Sequence, residues 1–349
     1  YLKLKMRIII KFVPAIWRNT FIMKKLRRFL IFIITAVFPF VLMTGCGGNS
    51  FKTSGKLSVV TTIFPEYDWV MQILGDKADD AEVTMLLDNG VDLHSFQPSV
   101  EDIARIASCD VFIYVGGDSE SWVDNALEYS KNPQRKVINL FDELGDSVRE
   151  EESVEGMQAE HKHGHEHEDE PEYDEHIWLS LRNAQVLVNS ICGYLCDADK
   201  ANAQTYKANA ENYIQKLAQL DRQYQDTVNS AEYDTLLFGD RFPFRYLTDD
   251  YGIRYYAAFA GCSAETEASF KTITFLAGKL DELGLPAVIT IDNAEHRVAD
   301  TIIHSTQKKK QKILSLNSMQ SVTSDDIKKG ETYYSVMEKN LDVIKEALD

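Results

Sequence analysis

Basic residues are scarce in this sequence. Its 349 residues include 37 Lys and Arg against 54 Asp and Glu, which gives a formal net charge of −17 at pH 7. Nucleic-acid phosphates are bound through clustered Lys and Arg, so this balance argues against a nucleic-acid partner. Acidity mainly confers solubility, and it also suits a protein that collects cations.

The short motifs of common hydrolases are also absent. The sequence has no His-Glu-x-x-His, no Gly-x-Ser-x-Gly and no phosphate-binding loop. Its cysteines do not form a zinc-ribbon pattern, because Cys192 and Cys196 lie four residues apart in a predicted helix and suit packed thiols. The sequence leaves the state of Cys109 and Cys262 open. These absences favour a binding protein over an enzyme.

No apolar run is long enough for a confident membrane span. A positively charged start at Met23 is followed by an apolar run over residues 29–43 and by Leu-Met-Thr-Gly-Cys, which ends at Cys46. This pattern predicts a secretory signal peptide over residues 23–45, and its end resembles a bacterial lipobox.

Three expectations follow for the N-terminal region. Lipid on Cys46 would anchor the protein to the membrane without spanning it. Residues 46–55 would form a flexible tether. Residues 1–22 contain no acidic residue and precede a better start at Met23, and we interpret them as an upstream extension foreign to the natural chain.

A single histidine, His94, lies in the stretch Asp-Leu-His-Ser-Phe-Gln-Pro-Ser (residues 92–99). An apolar, strand-like run precedes it, and Ser99 with Asp102 approximates a capping box for a following helix. His94 is therefore predicted just beyond a strand and just before a helix, where open α/β sheets bind ligands. Alone, a histidine there is more often an ordinary polar loop residue.

Most of the other histidines lie in one acidic tract. Residues 157–175 contain His161, His163, His165 and His167, and the tract ends directly before His176. This composition predicts a disordered loop that binds metal weakly. At His176 the charged tract gives way to an apolar segment, Asp-Glu-His-Ile-Trp-Leu-Ser (residues 174–180).

These three features, in this order, resemble the zinc/manganese-specific solute-binding lipoproteins of bacterial ABC importers. The resemblance covers residues 57–349. It implies extracytoplasmic capture of a divalent transition metal, zinc or alternatively manganese, and delivery to an ABC permease. It also implies a monomer, lipid-anchored to the outer face of the bacterial cell membrane.

Strand-like and helix-like segments alternate along the chain, which predicts an α/β fold with mainly parallel sheets. We expect two lobes, residues 56–197 and 231–349, each with a sheet flanked by helices. In the family a long rigid helix joins the lobes, and residues 198–230 match it. The metal site is then expected between the lobes.

The resemblance implies two first-lobe ligands, His94 and His176. Its third ligand, an imidazole or carboxylate, aligns with Arg241, which as a fixed cation cannot bind a metal. The neighbouring Asp240 is therefore the predicted substitute. The fourth family position falls near Asn317, a poor zinc ligand, and we assign it an indirect role.

Two further carboxylates, Glu265 and Asp292, follow predicted strand ends and are also candidate ligands, although a helix-capping or surface role fits them as well. Alternatively, Arg241 pairs with Asp240 or Glu265 and orients a site with fewer protein ligands. His296 and His304 are predicted to be surface residues.

Two other functions stay open at this stage. One is an extracytoplasmic zinc-dependent hydrolase, since three ligands with an open position would fit catalysis. The other is an adhesin-like surface lipoprotein.

Overall fold

The structure is a computed structural model and describes residues 55–158, 172–263, 267–292 and 295–349. Several predictions lie outside these ranges and stay predictions: the signal peptide, lipidation of Cys46, most of the tether, and the roles of Glu265, His161, His163, His165 and His167. None of the helices in the described ranges is long and apolar enough to cross a membrane.

The first lobe is built on a parallel sheet of four strands in the order β2-β1-β3-β4. Its strands are β1 (Leu57–Thr61), β2 (Ala81–Met85), β3 (Val111–Tyr114) and β4 (Lys136–Asn139), and its helices are α1 (Phe64–Leu74), α2 (Val100–Ser108), α3 (Trp122–Leu127) and α4 (Leu140–Leu144). Helix α2 begins with the predicted capping box, in which Ser99 accepts from the Asp102 N–H and Asp102 accepts from the Ser99 N–H.

The second lobe repeats this architecture with a parallel sheet in the order β6-β5-β7-β8. Its strands are β5 (Thr235–Phe242), β6 (Arg254–Ala260), β7 (Ala287–Ile291) and β8 (Lys312–Leu316), and its helices are α7 (Arg245–Tyr251), α8 (Phe270–Leu283), α9 (Arg297–Ser305), α10 (Ser324–Lys328) and α11 (Tyr333–Leu348). The sheet is buried on both faces, because Leu236 and Phe238 join the main core whereas Leu237 packs in a second cluster. The predicted two-lobed α/β fold is confirmed.

Two long helices connect the sheets: α5 (Leu181–Ala198) and α6 (Ala203–Ser230). Helix α6 starts at Ala203, later than the predicted residue 198, because Asp199 forms a turn with the N–H of Ala201. Its 28 residues correspond to about 42 Å of helix. One face, which includes Tyr213 and Leu220, is buried.

Helix α11 ties the end of the chain back to the first lobe. The Asp68 carboxylate accepts from the N–H of Tyr333, at the start of α11, and from the hydroxyl of Tyr213 in α6. One buried first-lobe carboxylate thus fastens both the linking helix and the terminal helix. In α5, the thiols of Cys192 and Cys196 lie 3.9 Å apart, as predicted for packed thiols.

The acidic segment that follows β4 begins within helix α4. Its described part then lies against the second lobe. The N–H of Arg149 donates to the Tyr246 hydroxyl, and the N–H of Gln158 donates to the carbonyl of Ala258 in β6. This segment therefore passes between the two lobes before the His-rich tract starts.

Candidate metal centre

His94 lies on a short turn, Leu93–Ser95, between β2 and α2. The Asp92 carboxylate accepts from the N–H of His94 at 3.1 Å and fixes the backbone of this turn. The ring nitrogen Nδ1 lies 2.7 Å from the Ser119 hydroxyl and 3.3 Å from a carboxylate oxygen of Glu175. These acceptors direct Nδ1–H away from the cleft and leave Nε2 facing it.

His176 is fully buried and is held by the same local device. The Asp174 carboxylate, two residues earlier, accepts both from the N–H of His176 and from its ring Nδ1, each at 2.9 Å. An ionised carboxylate only accepts, so this bond assigns the proton to Nδ1. Nε2 of His176 therefore presents a lone pair, as in the carboxylate–histidine–metal arrangement.

The two Nε2 atoms face each other at 3.4 Å. Nitrogen ligands at about 2.05 Å from a tetrahedral zinc ion are separated by about 3.3 Å. The spacing of the two imidazoles therefore already fits adjacent corners of a zinc coordination sphere. Two facing lone pairs repel each other, and either a proton or a cation between them removes that repulsion.

Carboxylates control the protonation of His94. Burial alone lowers the pKa of His94, but the hydrogen bond to Glu175 and the charges of Asp92 and Glu175 outweigh it and raise that pKa above its usual value. Burial likewise raises the pKa of Glu175, yet its bonds to His94 and Ser119 hold that pKa below its usual range. A cation at His94 is therefore stabilised, and a proton competes with a metal ion for this position.

Cys262 is the third donor at this place. It follows β6 in the second lobe, and its sulfur and one ring nitrogen of each histidine all lie within 4.8 Å of one another. Burial, followed by the charges of Glu151, Asp174 and Glu175, raises the pKa of the Cys262 thiol well above its usual value. Within the ranges that the structure describes, no other group of three His, Cys, Asp or Glu side chains has this geometry.

A bulge in β5 decides where Arg241 and Asp240 point. The pairing of β5 with β6 shifts register between Phe238 and Arg241, and β5 runs on to Phe242. A bulge reverses the faces on which the following side chains lie. The Arg241 guanidinium therefore reaches across the cleft to the Asp92 carboxylate at 3.0 Å.

This ion pair replaces the predicted pairing of Arg241 with Asp240, whereas Glu265 lies outside the described residues. The charges of His94 and Arg241 overcome the effect of burial on Asp92 and lower its pKa. Because Asp92 belongs to the first lobe and Arg241 to the second, the pair joins the lobes directly beside His94.

Asp240 is used by the second lobe itself. One carboxylate oxygen accepts from the N–H of Arg241 at 2.8 Å, and the other accepts from the N–H of Ile291 in β7 at 3.3 Å. The structure does not group Asp240 with the two histidines. Its geometry is that of a carboxylate that closes the gap opened by the bulge.

Asp292 and Asn317 organise the loop after β8. Asp292 accepts from the N–H of Ser318 at 2.8 Å and from the Ser321 hydroxyl at 2.7 Å. The Asn317 side chain accepts from the N–H of Met319, which has a positive φ of 63°. Neither residue joins the histidines, but both shape the turn that presents Gln320.

Gln320 is the residue of this loop that reaches the site. Its amide nitrogen lies 3.2 Å from Nε2 of His176 and 3.3 Å from a carboxylate oxygen of Asp92. The amide thus donates toward the lone pair that a metal ion would use. A cavity of about 530 Å³ lies on the other side of Gln320, and Asp92, Arg241, Asp240 and Asp292 line it as well.

The sequence predicted His94 and His176, which the structure brings together, but it did not predict that Cys262 and Gln320 lie beside them. A usable signal existed for the cysteine, because Gly261-Cys262 directly follows a predicted strand at the edge where ligands bind. Gln320 gave no comparable signal, since its approach depends on the backbone turn at Met319. His296 and His304 are exposed, as predicted.

The chain was compared with known families and proteins. The family described as zinc-uptake complex component A, periplasmic (ZnuA) matches residues 59–347. The high-affinity zinc uptake system protein ZnuA of Bacillus subtilis (strain 168) is 32% identical over 325 residues, which cover 91% of this chain and 97% of that protein.

The zinc-binding lipoprotein AdcA of Streptococcus pneumoniae (strain ATCC BAA-255 / R6) is 31% identical over 305 residues. The match covers 86% of this chain but 58% of AdcA, so the chain corresponds to a little over half of that relative's length. The crystal structure of the Zn(II)-bound ZnuA-like domain of S. pneumoniae AdcA superposes with a TM-score of 0.66 at 30% identity and covers 84% of this chain and 100% of that domain.

The family match spans most of the chain, and it agrees with the two parallel sheets, the linking helix and the paired histidines. It also confirms the prediction of a solute-binding protein rather than an enzyme. The chain belongs to the ZnuA family of zinc-uptake components.

Proposed function

We propose that this protein captures zinc outside the cytoplasm and delivers it to the permease of an ABC importer. The observation that carries the proposal is the pair of facing Nε2 atoms of His94 and His176, 3.4 Å apart. Both rings are oriented by acceptors on their Nδ1 side. Such outer contacts fix the tautomer and raise the basicity of a metal ligand.

The donor set favours a borderline-soft ion. Imidazole nitrogen suits zinc, whereas calcium and magnesium prefer sites built from oxygen ligands. The carboxylates Glu175 and Asp174 lie behind the imidazoles and bond to their Nδ1 atoms. They lower the energy of a divalent cation at Nε2 without needing to bind it themselves.

Delivery to a permease requires a protein that stays close to the membrane. The predicted lipid on Cys46 would supply the anchor, and the following residues would let the lobes reach the permease. The zinc-uptake description of the family and the names of ZnuA and AdcA support this part of the proposal. We keep manganese as an alternative cargo.

A zinc hydrolase would need a different arrangement of the site. Catalytic zinc needs an open coordination position with a general base beside it. The carboxylate next to His94, Glu175, instead accepts from the Ser119 N–H at 2.8 Å and lies behind the imidazole. This placement suits orientation of a ligand better than activation of water.

Isothermal titration of the metal-stripped protein tests the proposal. We expect one tight zinc equivalent, weaker binding of manganese, and no hydrolysis of ester or phosphate substrates by the zinc-loaded protein. Radioactive zinc uptake by cells that produce His94→Ala should then fall toward the level of cells without the protein. Binding of zinc only in the millimolar range, or efficient turnover, would overturn it.

A further inference from the structure

We propose that Cys262 supplies a thiolate as the third zinc ligand and thereby makes the site select zinc over manganese. This inference rests on the proposed capture of a metal ion by His94 and His176. It concerns how the second lobe completes the site once the family's third ligand position carries Arg241.

The distances between Cys262 and the two histidines fit a shared zinc ion. In a tetrahedral zinc site, a sulfur at about 2.3 Å and a nitrogen at about 2.05 Å are separated by about 3.6 Å. The sulfur of Cys262 already lies within 4.8 Å of one ring nitrogen of each histidine. A side-chain movement of about 1 Å is therefore enough to bring the three donors around one ion.

The backbone at Gly261 brings Cys262 close to His176. A Cβ atom at Gly261 would lie 2.9 Å from the carbonyl oxygen of Phe242 and 3.2 Å from Cε1 of His176. Only a residue without a side chain lets the chain pass this close to the imidazole. The N–H of Cys262 also donates to Glu151 at 3.2 Å, which holds the turn in place.

The other polar side chains of the second lobe near the site already bond to other groups. Arg241 pairs with Asp92, Asp240 accepts from two backbone N–H groups, and Asp292 accepts from Ser318 and Ser321. Among the second-lobe His, Cys, Asp and Glu side chains that the structure describes, Cys262 is the one that joins the histidine cluster.

Binding of zinc by Cys262 needs no added reactant. The neutral thiol of Cys262 loses its proton to solvent as the sulfur–zinc bond forms, since only a thiolate is a good ligand. A set of two imidazoles and one thiolate suits zinc, whereas manganese prefers carboxylate, carbonyl and water oxygens. The ligand type thus predicts discrimination between the two ions.

Cobalt substitution gives a direct readout of the sulfur ligand. The Co(II)-loaded protein should show a near-ultraviolet sulfur-to-cobalt charge-transfer band. Cys262→Ser should abolish the band and weaken zinc binding by at least 10-fold. The double variant Cys192→Ser/Cys196→Ser removes the pair of thiols in α5, away from the histidines. It should keep both the charge-transfer band and the zinc affinity.

Selectivity provides an independent readout. Cys262→Asp replaces sulfur by oxygen and should lower the ratio of zinc to manganese affinity by more than 10-fold. Cys262→His should keep tight zinc binding without the charge-transfer band, which also shows that the variant folds.

The two proposals fail in different ways. If the protein binds zinc and cobalt tightly but shows no thiolate band, or if the band survives in Cys262→Ser, the cysteine is not the ligand while metal capture stands. If the protein binds neither ion tightly, the proposed capture itself is wrong.

Discussion

The two lobes share one strand order, but the carboxylates beside the cleft bond to different groups in each lobe. In the first lobe, Asp92 and Asp174 each lie two residues before a histidine and bond to its N–H, so that the imidazole stays free to face the cleft. In the second lobe, Asp240 and Asp292 bond to their own backbone and hydroxyl neighbours. The carboxylates of both lobes are thus used by their own loops, but only those of the first lobe hold an imidazole toward the cleft.

The largest expected effect comes from removing a first-lobe imidazole. His176→Ala should weaken zinc binding by more than 100-fold, which exceeds the 10–100-fold typical of losing an outer contact. His94→Ala should behave alike. Titration calorimetry measures both, and His304→Ala, on an exposed helix face, is the matched control. Unchanged affinity in either ligand variant would refute the site.

The support behind His94 should matter next. Glu175→Gln should weaken zinc binding by roughly 10–100-fold at pH 8, because it removes the charge behind the imidazole. Zinc affinity should also fall in acid as a proton occupies His94. The Glu175 bond raises the pKa of His94, so removing it should move this acid loss to lower pH. A midpoint that moves to higher pH would contradict the assignment.

Substitutions of Gln320 test whether a carboxylate at this second-lobe position can bind the metal. Its amide now donates toward Nε2 of His176, so Gln320→Glu places a carboxylate there and should tighten zinc binding by about 10-fold. Gln320→Ala removes the competing donor alone and should change affinity by less than about 3-fold. Equal effects of the two substitutions would show that the carboxylate does not reach the metal.

Substitution of Asp240 tests whether its carboxylate binds the metal or stabilises the fold. Asp240→Ala leaves the N–H groups of Arg241 and Ile291 without their acceptor. We expect a loss of about 1–3 kcal/mol in unfolding free energy, with zinc affinity changed by less than about 3-fold. A loss of affinity equal to that of His94→Ala would restore the prediction that Asp240 is a ligand. Asp292→Asn serves as a comparison for the neighbouring loop.

The smallest effect is expected from the His-rich tract. Replacing residues 160–171 by a glycine-serine linker of equal length should leave the tight zinc site unchanged, because His94, His176 and Cys262 lie outside the tract. Only weak additional metal equivalents should disappear. If the tight equivalent were lost instead, the tract would supply a primary ligand.

Local sequence was sufficient for the first lobe and insufficient for the second. Each imidazole is set by a contact two residues away, so the short segments around His94 and His176 already contain the information. The orientation of Arg241 depends on a bulge whose extra residue is recognisable only once β5 is paired with β6.

Cys262 illustrates the same limit at the level of tertiary contacts. Its place beside His176 arises because the segment after β6 meets the turn before α5, with Gly261 packed against the imidazole. Sequence spacing cannot measure the distance between residues 176 and 262. The resemblance assigns the second-lobe positions to Arg241 and Asn317, whereas the structure places Cys262 and Gln320 beside His176.

Trp178 gives this protein its own optical reporter. Its ring lies 5.3 Å from that of His176, its indole N–H donates to the carbonyl of Ser318 in the second lobe, and its carbonyl accepts from the Tyr333 hydroxyl. The emission of this buried indole should respond when the neighbouring imidazole binds a metal ion. Zinc loading could then be followed in real time by intrinsic fluorescence, with Trp178→Phe as the blank and no dye attached.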